Sequence, residues 1–259
     1  RSLSWEGVPE KLSPKHVEWV GIGKAASAVR KKETDYENEI MRRASDVKDF
    51  LLPKVKSSET HSEIQTFPVS LRSVIHKRRS AIEMNNSAYM EKDTFYQMLQ
   101  RSLPEKNPIF ETLPFGPFTH LLLFVNRIKG LLPGLYMFLR KQGEKDKFKA
   151  DIMPDFLWEK PENCPSDLEL YMLMEETMYD FIAQLSCSQR KAADACFTAC
   201  MLSEFEGPLK KFGPWFYPYL FWECGILGQV LYLEAEANGM KGCGIGCFFY
   251  DPLHEAISL

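Results

Sequence analysis

The sequence has few of the features that mark a metal site, a disulfide scaffold or a hydrolytic triad. Its seven cysteines are odd in number, none has C-x-x-C spacing, and none is placed close to a histidine. This pattern argues against a zinc site and a disulfide framework, and it favours a reducing compartment. The five histidines are scattered without a Ser/His/Asp grouping, so nothing indicates a hydrolase triad.

A strong excess of one charge is also lacking, since 32 Lys and Arg oppose 35 Asp and Glu for a net charge of −3. A chain with this balance is not an electrostatic nucleic-acid binder. The basic residues are concentrated, because residues 1–80 hold 16 Lys and Arg against 11 Asp and Glu. The sequence therefore predicts no nucleic-acid partner but a locally basic first third.

An uninterrupted apolar run long enough for a bilayer is missing as well. Residues 215–233 come nearest, but Pro218, Glu223 and Gln229 break the run. A carboxylate at the middle of a bilayer costs about 2.5–3.5 kcal/mol on insertion scales. We expect a helix that is buried inside a protein, no membrane partner and a cytoplasmic location.

What is present is the composition of a globular protein, with 45% hydrophobic and 26% charged residues in 259. Apolar spacing predicts helices at 34–50, 70–78, 92–101, 177–186 and 215–238, and strand-like runs at 120–127, 134–140 and 168–173. Residues 190–205 fit either one helix or a helix followed by a strand. Helices with a few interspersed strands and no βαβ repetition predict an α+β fold.

Two short motifs offer ligand chemistry. The first is the basic motif (residues 77–80), in which the guanidinium groups of Arg78 and Arg79 and the hydroxyl of Ser80 are hydrogen-bond donors that suit a phosphate. A basic run at the end of a helix is also often a solvated surface that complements the helix dipole. In the glycine-rich segment (residues 242–247, G-C-G-I-G-C), backbone amides can approach an anionic or planar ligand, although the segment also fits a tight turn. Neither motif identifies a ligand by itself.

The order of these motifs resembles the nitroreductase superfamily of FMN enzymes. The matching pieces are R-R-S at 78–80, R-I-K-G-L-L-P-G-L-Y at 127–136, W-E-C-G…Q…L-E-A-E-A-N-G-M at 222–240 and G-I-G at 244–246. The branch that forms thiazoles and oxazoles is the most similar. The resemblance implies helices around a small, mainly antiparallel sheet, with a long central helix at a dimer interface and FMN bound there.

The resemblance also implies site residues and partners. Arg78 and Ser80 match the positions that hold the flavin phosphate, with Arg79 between them, while Gly244, Gly246 and Cys247 lie on the turn whose amides face flavin N5. The implied protein is an oxidoreductase that transfers a hydride to or from a small organic substrate, with NAD(P)H as a candidate donor. No catalytic side chain and no metal ligand is predicted.

Two departures from the family pattern keep a second hypothesis open. Ile82 replaces the basic residue expected near flavin N1 and O2, and residues 106–115 replace a loop rich in serine and glycine. Loss of that positive charge lowers the expected reduction potential of the flavin. The alternative is a flavin-poor partner domain with a structural or dimerisation role.

We divide the chain into residues 1–66, a linker with N-terminal helices, and residues 67–259, a nitroreductase-like FMN domain. The first segment resembles the joining segment of tandem members of the branch. The expected assembly is a homodimer or an intramolecular pseudo-dimer with a second similar domain, in a longer polypeptide than the one that begins at Arg1.

Overall fold

A four-stranded antiparallel sheet lies at the centre of the structure. The computed structural model describes residues 7–8, 19, 21–31, 69–113, 115–152 and 154–258. The strands are β1 (Thr119–Val125), β2 (Gly134–Leu139), β3 (Glu169–Met174) and β4 (Phe197–Ser203), in the order β3-β2-β1-β4. Every residue of β1 and β2 is buried, because both faces of these central strands are covered.

The helices of the described residues surround this sheet. They are α1 (Ile22–Ala28), α2 (Leu71–Lys77), α3 (Lys92–Arg101), α4 (Lys145–Asp151), α5 (Tyr179–Leu185), α6 (Arg190–Ala193), α7 (Glu206–Phe212), α8 (Tyr217–Ala237) and α9 (Tyr250–Ile257). Short 3-10 turns cover Pro104–Lys106, Pro108–Thr112 and Pro214–Phe216. The predicted α+β fold with a small antiparallel sheet is confirmed.

The alternation of side chains along β1 divides the core between the two faces of the sheet. Leu121 and Leu123 pack in a cluster with residues of α3 and α8. Leu122 and Phe124 point to the opposite face, where residues of α5 and α9 complete a second cluster. Successive strand residues face opposite sides, so one strand supplies both cores.

Most of the sequence-based elements agree with the structure. The ambiguous residues 190–205 form a helix followed by a strand, α6 and β4. The helix expected at 34–50 lies outside the described residues. Within the described part of the chain, no helix combines the length and the apolar character that crossing a bilayer requires.

The glycine of the P-G-L-Y motif has a packing role at the start of β2. A Cβ added to Gly134 would lie 2.2 Å from the carbonyl oxygen of Met174 on the neighbouring strand β3. The pairing of β2 with β3 is irregular between Leu135 and Tyr136, immediately after this contact. Only glycine allows the two backbones to approach this closely.

The expectation that the cysteines form no disulfide is wrong for one pair. Cys187 and Cys247 are joined by a disulfide, with their Cα atoms 5.8 Å apart. The other five cysteines are free thiols. The two partners are 60 residues apart in the sequence, so spacing alone gave no sign of the pair. The cytoplasmic location stays a prediction. The disulfide counts against the argument for a reducing compartment that was drawn from the cysteine pattern.

Candidate functional site

Tyr232, on the second-last turn of α8, joins the two motifs that the sequence singled out. Its hydroxyl is hydrogen-bonded to Ser80 Oγ at 3.1 Å and accepts a hydrogen bond from the backbone N–H of Gly244. The backbone N–H of Ala81 donates to the carbonyl of Gly242 at 2.9 Å. Residues about 160 positions apart in the sequence therefore form one cluster, which we call the Tyr232 cluster: Arg78, Ser80, Tyr232 and Gly244.

The positive charge of this cluster comes from Arg78. Its guanidinium carbon lies 4.6 Å from the centroid of the Tyr232 ring, which is the geometry of a cation–π contact. Arg79 is placed differently, because its Nη1 donates to the carbonyls of His76 and Arg78 at 2.9 and 2.7 Å. Arg79 thus caps the C-terminal end of α2, where a cation also complements the helix dipole.

The glycine-rich segment follows α8 without regular secondary structure. Gly242 packs against the Tyr232 ring, since a Cβ there would lie 3.2 Å from Tyr232 Cδ1. A Cβ on Gly246 would meet nothing within 4 Å, and the residue is exposed. Within the described residues, the backbone amides of Gly246 and Cys247 donate to no other backbone group. Cys247 is exposed as well.

The far end of the segment is fixed to α5. Cys247 is bonded to Cys187, and the backbone N–H of Phe249 donates to the carbonyl of Leu185 at 2.8 Å. Cys187 and Ser188 both have positive φ, 54° and 60°, which is uncommon for residues with a side chain. The segment is therefore held at one end by Tyr232 and at the other by the disulfide.

The loop ahead of β1 uses its polar groups within the protein. Asn107 Nδ2 donates to the carbonyl of Arg101 at 3.0 Å, and its Oδ1 accepts from the N–H of Ile109. Lys106 forms an ion pair with Asp167 at 3.1 Å. Ile82 is 88% exposed and supplies no charge. These residues do not replace the donors that the resemblance leads one to expect.

A buried ion pair positions α8 on the sheet. Glu223 Oε1 lies 2.5 Å from Arg140 Nη1, and its Oε2 accepts from the N–H of Phe118 at 3.0 Å. Arg140 also donates to the carbonyls of Ser102 and Thr119. Glu223 interrupts the apolar run of the sequence, and Arg140 at the end of β2 is the partner that balances its charge. The ion pair lies inside the protein and is structural.

Two further titratable groups are perturbed by burial. Burial lowers the pKa of His120 to about 3, and the positive charge of Arg140 adds to the effect. Burial raises the pKa of Glu234 on α8 to about 7, and the nearby Arg101 opposes that rise. Among the described residues, no group of three or more His, Cys, Asp or Glu side chains is arranged to hold a metal ion.

The sequence reasoning missed Tyr232. The residue is part of the apolar run Leu231-Tyr232-Leu233, so nothing in the pattern distinguishes it from a core aromatic residue. Its role becomes visible only when Ser80 and Gly244 are placed around its hydroxyl. The residues Arg78, Ser80 and Gly244 do come together, whereas Gly246 and Cys247 lie further along the same segment.

Comparison with known proteins gives a structural likeness. No family model and no curated protein sequence matches the chain. A solved structure of a candidate nitroreductase from Anabaena variabilis is similar, with a TM-score of 0.56 and 21% sequence identity. The match covers 73% of this chain and 35% of that one, so this chain spans about a third of its length. At this identity the likeness establishes the fold, which is nitroreductase-like.

Proposed function

We propose that this chain is a flavin-binding oxidoreductase module that holds FMN through its phosphate at Arg78 and Ser80. The observation that carries the proposal is the convergence of Arg78, Ser80 and Gly244 on one side chain, Tyr232, near the end of α8. A guanidinium, a hydroxyl and a backbone N–H form a donor set that suits a phosphate monoester. The nitroreductase-like fold supports the same reading.

The glycine-rich segment offers contacts for the flavin ring, which is the end of FMN opposite its phosphate. The exposed amides of Gly246 and Cys247 can donate to a ring nitrogen of the flavin, because no backbone carbonyl of the described residues accepts from them. The absence of a side chain at Gly246 leaves room for a planar ring. The chemistry that FMN supplies when bound is hydride transfer between a donor such as NAD(P)H and a small organic substrate.

The long helix offers a surface for a second subunit or a second similar domain. Tyr217, Phe221, Gly225 and Gln229 follow each other at four-residue spacing on one exposed face of α8, and Trp222 adjoins them. Phe221 and Trp222 are 60% and 59% exposed. Exposed aromatic side chains in one patch are typical of an interface.

The dimer proposal is tested by analytical ultracentrifugation. Replacing Phe221 and Trp222 together by serine should shift the chain towards a monomer. An unchanged sedimentation coefficient would contradict an interface at this face of α8. The variant Lys210→Ser, at an exposed position on α7, is the matched control and should leave the assembly as it is.

A second candidate function, the flavin-poor partner domain, is favoured by a specific observation. The polar groups of Lys106 and Asn107 are engaged within the protein, and Ile82 brings no charge to the site. A domain of this kind would contribute packing surface, through the exposed face of α8, to a partner that holds the flavin. The two candidates differ in whether the purified chain binds FMN.

The deciding experiment combines an absorption spectrum with an FMN titration followed by flavin fluorescence. The proposed function predicts flavin bands in the purified protein, or saturable FMN binding, and loss of that binding in an Arg78→Gln, Ser80→Ala double variant. Arg72→Gln, an exposed arginine on the same helix α2, is the control and should bind normally. Absence of FMN binding by the unmodified chain, with its fold intact by circular dichroism, would favour the partner domain instead.

A further inference from the structure

The hydroxyl of Tyr232 is hydrogen-bonded to the same donors that an anion at the basic motif would need. Tyr232 OH accepts from the N–H of Gly244 and shares a hydrogen bond with Ser80 Oγ at 3.1 Å. Because both groups reach one oxygen of the tyrosine, both can reach one oxygen of a phosphate at the same place. Ser80 and Gly244 are exposed, so the hydroxyl lies at the surface of the protein.

Arg78 shows the same relation to Tyr232. Its guanidinium lies over the Tyr232 ring at 4.6 Å, and among the described residues it forms no ion pair with a carboxylate. A cation over an aromatic ring at an exposed site gains less than a charge-assisted bond to a phosphate gives. The ring therefore holds the cation in place without neutralising it.

We propose that Tyr232 is an internal occupant of the phosphate site and that its hydroxyl must move before a phosphate monoester binds. The side chain at position 232 would then determine how much more tightly the site binds a phosphate ester than the same compound without its phosphate. The proposal rests on the proposed function, because it takes the Tyr232 cluster as the place of the FMN phosphate.

The contacts around the ring show that the site remains formed when the hydroxyl is absent. Gly242 contacts one edge of the ring, where any side chain would lie within 3.2 Å of Tyr232 Cδ1. The bond from Ala81 N–H to the carbonyl of Gly242 connects the two motifs independently of the hydroxyl. Removing the hydroxyl therefore leaves the ring, the Arg78 contact and the connection between the motifs in place.

The test uses Tyr232→Phe, which deletes only the hydroxyl, in the whole 259-residue chain. With ¹⁵N-labelled glycine, the Gly244 amide signal is assigned by its loss in Gly244→Ala and followed during a titration with inorganic phosphate. Removing the competing hydroxyl frees the Ser80 and Gly244 donors, which is worth about 1 kcal/mol, so Tyr232→Phe should bind phosphate roughly fivefold more tightly than the unmodified chain. Ser80→Ala in the Tyr232→Phe background should reverse the gain.

Tyr89→Phe, which removes a hydroxyl from an exposed tyrosine outside the Tyr232 cluster and outside the exposed face of α8, is the control and should bind phosphate like the unmodified chain. An equal or weaker phosphate affinity in Tyr232→Phe, or a Gly244 amide that phosphate does not shift in either protein, would overturn the inference. Parallel titrations with FMN and riboflavin test the proposed function separately. If phosphate binds more tightly to Tyr232→Phe but neither protein binds FMN, the inference stands and the proposed function fails.

Discussion

The Cys187–Cys247 disulfide should make a large contribution to the stability of the protein. It closes a loop of 60 residues, which in the chain-entropy treatment lowers the entropy of the unfolded chain enough to stabilise the native state by about 4 kcal/mol. The disulfide links the end of α5 to the glycine-rich segment. Replacing both cysteines by serine should therefore reduce the free energy of unfolding by up to about 4 kcal/mol.

The measurement is equilibrium unfolding in urea, with and without dithiothreitol. For a slope of about 1–3 kcal/mol per molar urea, such a loss moves the midpoint by more than 1 M. Dithiothreitol should lower the midpoint of the unmodified protein to that of the double variant and should leave the double variant unchanged. Cys243→Ser, a free cysteine four residues before Cys247, is the control and should keep the midpoint of the unmodified protein.

Equal midpoints for the unmodified protein and the double variant under oxidising conditions would refute this reasoning. That result would mean that the two sulfur atoms are not bonded, or that the unfolded chain is already constrained without them. A midpoint lowered by Cys243→Ser to the same extent would also refute it, because the effect would then belong to local packing.

Two further predictions concern packing and pH. Gly134→Ala should lower the free energy of unfolding in urea by about 3 kcal/mol, because its Cβ would overlap the Met174 carbonyl. The control Gly207→Ala, in open space on α7, should be neutral or stabilising. Equal effects of the two substitutions would contradict the packing role of Gly134. Of the two groups His120 and Glu234, the Glu234→Gln variant keeps only His120. The free energy of unfolding of this variant should fall by about 2 kcal/mol from pH 7 to pH 5, because His120, with its pKa lowered from 6.5 to about 3, protonates more readily in the unfolded chain. The free energy of unfolding of His120→Asn should rise by about as much over the same range, because Glu234, with its pKa raised from 4.5 to about 7, takes up its proton in the folded state. Changes of the same sign in both variants would be inconsistent with these burial effects.

The candidate site was predictable in its parts and not in its assembly. Arg78 and Ser80 offered phosphate chemistry by residue type, and the glycine-rich segment offered amides by composition. Tyr232 lies between two leucines of a buried helix, so the pattern gave it no polar role. Its hydroxyl acquires that role because α8 ends beside both motifs.

By itself the sequence determined the local structure: the helix that ends at the basic motif, three of the four strands of the central sheet, and the long apolar helix with the carboxylate of Glu223 inside its apolar run. These follow from periodicity, capping and the cost of burying charge, which act over a few residues. Only the tertiary structure decided that Arg140 meets Glu223, that Cys187 bonds to Cys247, and that one tyrosine hydroxyl joins two distant motifs. The physical reason is that these contacts depend on how helices dock on the sheet, and the sequence between the partners carries no periodic trace of that docking.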